Sequence, residues 1–193
     1  MKKSQANLVT IFGAVSMASW CIGSIANGAP APRIKGLTLS STTFSDGGMM
    51  PPRVGFNGSA NPDCIGENIS PQLSWSNAPP GIKSYAITMV TAEVDDINMV
   101  VYGIPAAVTS LAEGELSKPS DKFTGGKNRF GQGTWRGMCT PAGSAPHHYV
   151  IKLIGTDLDP SELPPGLNLE ELEGRVKGHF KNSAVLVGVF VHP

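Results

Sequence analysis

The chain lacks the usual signatures of catalysis and of cofactor binding. It has no Gly-x-Ser-x-Gly elbow, no Gly-rich phosphate loop ending in Lys-Ser/Thr, no Cys-x-x-Cys and no His-Glu-x-x-His. The four histidines are badly placed for a metal. His147 and His148 are adjacent, which on a strand aims them at opposite faces, while His179 and His192 stand apart. The sequence therefore points to no metal and no cofactor. An excess of charge is also missing: 15 Lys and Arg balance 15 Asp and Glu. That leaves no basic footprint for nucleic acid. Charge is absent altogether between Lys3 and Arg33.

That uncharged stretch is the first thing the chain does have. Lys2 and Lys3 precede an apolar run that includes Leu8, Ile11, Phe12, Val15 and Trp20, and small residues follow it, with Ala26 and Gly28 suitably spaced before Ala29. This is the layout of a secretory signal peptide over residues 1–28, so the mature protein is expected to be periplasmic or secreted. The alternative is an uncleaved N-terminal membrane anchor, although Ser, Gly and Asn interrupt the run. A lipoprotein site at Cys21 fits less well, because Trp20 stands where such sites want a small residue. Residues 29–35 read as a short extended leader, and one domain follows over residues 36–193.

The domain reads as mostly β. The 23 glycines and 16 prolines favour many turns between short strands. Apolar runs bounded by turn residues predict strands at Tyr85–Val90, Met99–Ile104, His148–Gly155 and Ala184–Val191. The last is almost continuously apolar and is expected to be a central strand buried on both faces. Leu37, Leu39 and Ser41 begin a strand-like alternation, and Leu73 and Trp75 alternate into a core. One helix is expected, with Leu169, Leu172, Val176 and Phe180 on a single stripe and Asn168 with Glu171 forming a capping-box-like start. The pattern predicts an antiparallel β-sandwich with a late flanking α-helix.

Two segments narrow this further. One reads CIGENISPQLSWSNAPPGIKSYA from Cys64, the other NRFGQGTWRGMCTPAGSAPHHYVIKLIGTD from Asn128. Together they resemble the phosphatidylethanolamine-binding family, more closely its bacterial, Raf-kinase-inhibitor-like (YbhB/YbcL-type) branch. The resemblance implies that family's sandwich and a small anion-binding pocket. Carried over by position, His147 and Tyr149 are the pocket pair, able to donate hydrogen bonds to a phosphate or carboxylate. The alternative is a satisfied histidine and a packed tyrosine. Gly137 stands in the family's Gly-rich rim, where backbone N–H groups could approach an anion. Cys64 and Cys139 fall one in each matching segment and are expected to form a disulfide in an exported protein, the alternative being two free buried thiols.

The chain departs from the family between the segments. The family carries two aspartates after the strand that begins here at Tyr85, and a His-Trp pair before the next strand. Thr91 and Glu93 stand for the aspartates, and Asn98 and Met99 for the His-Trp pair, with a shorter connection. Asn98 still donates a hydrogen bond but does not titrate near neutrality as histidine does. A slip of two residues would offer Glu93 and Asp95 instead; otherwise Asp95 and Asp96 read as solvated loop residues.

Thr91, Glu93, Asn98, Gly137, His147 and Tyr149 are thus the expected ligand-binding set of a non-catalytic binding protein. Its ligand is expected to be a small anion or phospholipid head group. The alternative is a protease- or kinase-inhibitor-like interaction module with a degenerate pocket and a protein partner in the cell envelope. A hydrolase has no visible nucleophile–base pair to support it.

Overall fold

The computed structural model describes residues 36–58 and 61–193. The expectations of an export signal over 1–28 and a leader over 29–35 lie outside the described residues. Nine strands and one α-helix follow in order: β1 (Thr38–Ser40), β2 (Gly48–Met49), β3 (Leu73–Ser76), β4 (Ser84–Thr91), β5 (Asp96–Pro105), β6 (Ser110–Leu111), β7 (Thr124–Gly125), β8 (His147–Thr156), α1 (Leu169–Val176) and β9 (Phe180–Phe190). They form a three-stranded sheet, β1-β3-β6, and a six-stranded sheet, β2-β9-β8-β4-β5-β7. Pairing is antiparallel throughout these sheets except where the short β2 runs parallel to β9.

Side-chain alternation explains the layers. On β4, Tyr85, Ile87 and Met89 face a core shared with Leu39, Leu73 and Trp75 of the small sheet and with Ile151, Leu153, Leu186 and Phe190 of the large one. The opposite face of β4 and β5 presents Ala86, Val100 and Tyr102, which meet Leu158, Leu163, Leu167 and the α1 residues Leu172 and Val176 in a second core. Strands β4 and β5 are therefore both buried on their two faces, as their runs of buried residues record. The sandwich with a flanking helix agrees with the expectation.

Two details do not. The last strand is not central and not buried on both faces: β9 lies one strand from the sheet edge, with Val185 48% exposed. The physical reason is coverage, since the second core includes Ile154 of β8 but no residue of β9. The helix is also shorter than its stripe. Its capping box forms as expected, with the Glu171 N–H donating to Asn168 Oδ1 and the Asn168 N–H donating to Glu171 Oε2, both at 2.9 Å. However, α1 stops at Val176, Gly178 turns the chain at φ +88°, and Phe180 opens β9 at 54% exposed.

Candidate ligand-binding cleft

Three strand ends meet at one end of the large sheet. Thr91, the last residue of β4, pairs with Asp96 at the start of β5 and with Tyr149 near the start of β8. The hairpin between β4 and β5 closes in four residues, with Asp95 in a left-handed conformation at φ 50°. Residues from two loops, Phe56, Gly58, Asn61 and Cys64 from one and several between Arg129 and Pro141 from the other, complete a cleft of about 570 Å³. A larger depression of about 720 Å³ runs along residues 112–122, but a single loop forms it. Both of its glutamates already have partners, Glu115 with Lys122 and Glu113 with Arg53.

The cleft floor is polar and uncharged. Thr91 Oγ1 donates to Asn98 Oδ1 at 2.7 Å, and Asn128 Nδ2 donates to the Asn98 carbonyl at 3.0 Å. Asn98 is only 5% exposed, yet its Nδ2 meets no acceptor among the described residues and opens on the cleft. The Tyr149 hydroxyl shares a 3.2 Å hydrogen bond with Thr140 Oγ1. Burial pushes the Tyr149 phenol up, so it stays protonated near neutrality. His147 lines the same cleft, half-buried.

One wall is cationic. Asn128 Oδ1 accepts from the N–H groups of Phe130 and Gln132, at 2.9 and 3.0 Å, and Gly131 turns at φ +73°. This tight loop presents Arg129 and Phe130 to the cleft. The Arg136 guanidinium packs 3.9 Å from the Phe56 ring centre and 3.6 Å from that of Phe130, and Arg129 lies 4.5 Å from the Phe130 centre. Arg129 Nε sits 3.0 Å from Asp96 Oδ1. That contact is an ion pair by distance but not a hydrogen bond by angle, so the buried Oδ1 has no hydrogen-bond partner. Arg136 pairs with no carboxylate among the described residues. Burial lowers its pKa, neighbouring Arg129 lowers it further and Asp96 opposes them. Starting as high as arginine does, it remains charged near neutrality.

The structure brings together five of the six residues expected at the site. Thr91, Asn98, Gly137, His147 and Tyr149 all line the cleft. Glu93 does not. Its carboxylate accepts from the His148 backbone N–H at 3.0 Å and lies 2.7 Å from His148 Nδ1, on the outside of the sheet end. Burial pushes the Glu93 carboxyl up, but the His148 hydrogen bonds outweigh it and hold the pKa below its ordinary value. Asp96, expected as a solvated loop residue, lines the cleft in its place.

Gly137 has a different role from the one expected. Its N–H donates to Asn68 Oδ1 at 2.8 Å, so it is not free for an anion. A Cβ here would collide with the backbone of Val54, Gly55 and Phe56, so glycine is required for close chain approach. Cys64 and Cys139 form a disulfide with their Cα atoms 4.4 Å apart, which fastens the two loops to each other.

Sequence reasoning missed Arg129, Phe130, Arg136 and Phe56. Arg129, Phe130 and Arg136 stand inside the second matching segment, where two arginines beside aromatic residues were a legible signal. Phe56 lies 80 residues before Arg136, and only the fold joins them.

Comparison with known proteins agrees with this fold. The sequence pattern of the family described as phosphatidylethanolamine-binding protein matches residues 40–191. A "UPF0098 protein" of Methanothermobacter thermautotrophicus is 30% identical over 159 residues, covering 80% of this chain and 98% of that protein. A protein named "Putative lipoprotein LppC" from Mycobacterium tuberculosis is 30% identical over 169 residues, or 83% of this chain and 75% of its own length. Among solved structures, Escherichia coli YbcL, described as a member of the mammalian PEBP family, superimposes with a TM-score of 0.70. It has 26% identity and covers 81% of this chain and 98% of YbcL. Alignment in both sequence and fold over nearly the whole described domain places the chain in the phosphatidylethanolamine-binding protein family, in the branch that contains YbcL.

Proposed function

We propose that this domain is a non-catalytic binding protein for a small oxyanion, of the phosphate or head-group type, held in the cleft between Asn98 and Arg136. The observation that carries this reading is a pair of unused donors facing one space: a charged guanidinium with no carboxylate and, on a residue only 5% exposed, an amide nitrogen with no acceptor among the described residues. Free donors gathered around one concave space suit an oxyanion that brings only acceptors to them. Arginine offers a planar fork suited to an oxyanion, and the Phe56 and Phe130 rings pre-orient it. His147 and Tyr149 would orient the same ligand. The hydrogen bonds of Thr91 and Tyr149 run to the neutral side chains of Asn98 and Thr140 and not to a base, which supports a binding role.

We further propose that the protein acts outside the cytoplasm, in the periplasm or secreted. The signal-like N-terminus and a disulfide across the cleft loops support this. Titrating inorganic phosphate into the protein while following the His147 ring by NMR tests the binding reading. Saturable shifts that weaken in Arg136→Gln are expected. No shift with phosphate, phosphoethanolamine or acetate would overturn it.

A further inference from the structure

We propose that Asp96 makes this cleft select oxyanions that carry their own proton, so that it accepts hydrogen phosphate and rejects sulfate. The inference rests on the oxyanion reading above and adds the chemical class of the ligand. Asp96 is the first residue of β5, held opposite Thr91, and its side chain lines the cleft. Its two oxygens are in different situations. Oδ1 is buried beneath Arg129. Oδ2 receives no hydrogen bond from the described residues and is not sealed off, so it is the oxygen open to a ligand.

An ionised carboxylate can only accept. The cleft therefore offers donors from Arg136, Asn98 Nδ2 and the Tyr149 hydroxyl, together with one charged acceptor. A ligand that fills it must bring several acceptor oxygens and one donor. Hydrogen phosphate does this: three oxygens accept and the P–OH proton is given to Asp96 Oδ2. Sulfate has the same tetrahedral shape and the same double negative charge near neutrality, but no proton. Its oxygen would face Asp96 lone pair against lone pair, a repulsive contact of the kind that produces selectivity. Arg129, which also lines the cleft, sits 3.0 Å from Asp96 Oδ1 without donating a hydrogen bond to it.

The test is calorimetric titration of sodium phosphate and sodium sulfate into the full protein near neutral pH, repeated on Asp96→Asn and Glu93→Gln. The wild type is expected to bind phosphate about 10- to 100-fold more tightly than sulfate, the range of one hydrogen bond to a charged group. In Asp96→Asn the amide can donate to sulfate, so the gap should close mainly through tighter sulfate binding. Glu93→Gln removes a neighbouring charge outside the cleft and should keep the discrimination. Equal binding of the two anions by the wild type overturns the selection while leaving the oxyanion cleft standing. So does a gap that survives in Asp96→Asn, or one that vanishes in Glu93→Gln with circular dichroism unchanged. If the wild type binds neither anion, the cleft reading falls and this inference falls with it.

Discussion

The two walls of the cleft are built by different means. The loop wall, with Phe56, Gly58, Asn61 and Cys64 on one loop and several residues between Arg129 and Pro141 on the other, is held by a disulfide, by Asn68 on Gly137, by Asn128 on its own loop and by a stack of arginine and phenylalanine side chains. The hairpin wall, Thr91 to Asn98, is a short strand connection tied by backbone pairing and by one hydroxyl–amide hydrogen bond between side chains. The first wall concentrates covalent and backbone constraints around fixed positive charge. The second carries the neutral donor and the single acid. Rigidity and charge sit on one side, and chemical choice sits on the other.

Breaking the loop wall should have the largest effects. Cys64→Ser with Cys139→Ser opens a link across 75 residues and is expected to cost about 3 to 4 kcal/mol of unfolding free energy, read from denaturant midpoints without reductant. Gly137→Ala should cost about 2 to 3 kcal/mol, because the methyl has nowhere to go between packed backbones. An unchanged midpoint in Gly137→Ala would show that the two loops are not packed as described.

The next effect in size sharpens the contrast in charge. Arg136→Gln should weaken phosphate binding by about 10- to 100-fold and, because it gives up two ring contacts, should also cost about 1 to 2 kcal/mol of stability. On the hairpin wall, Thr91→Val removes a buried donor to Asn98 Oδ1 and should cost about 1 to 2 kcal/mol. Smallest is Glu93→Gln, outside the cleft. The folded Glu93 pKa is depressed, so its contribution is present above the unfolded pKa and fades as pH falls through the folded value. With both partners partly exposed, screening limits it to about 0.5 kcal/mol, visible only as a small loss of pH dependence between neutral and acid melts.

The same asymmetry governs what could be read in advance. Elements with local causes were legible: alternation placed β4 and β8, and Asn168 with Glu171 marked the helix start. The resemblance placed His147 and Tyr149 together and anticipated the Cys64–Cys139 link. Features made by distant pairs were not legible. Arg136 gains its setting from Phe56, and Gly137 is required by the Val54–Phe56 backbone. Glu93 and Asp96 exchanged roles because a tight turn with Asp95 at φ 50° swings one outward to His148 and the other into the cleft. A continuous apolar run could not tell β9 from a doubly buried strand, because coverage depends on where α1 ends.

Asn68 has a practical consequence for producing the protein. It adopts φ 56°, accepts from Gly137 through Oδ1 and donates from Nδ2 to the Trp135 carbonyl at 3.4 Å. It is also the first residue of Asn68-Ile69-Ser70, a glycosylation sequon in a eukaryotic secretory host. A sugar added there during synthesis would occupy the nitrogen that meets Trp135, before the chain had closed around it. Material from a yeast or insect secretory system should therefore be compared with bacterial material by mass and by melting point before any binding measurement.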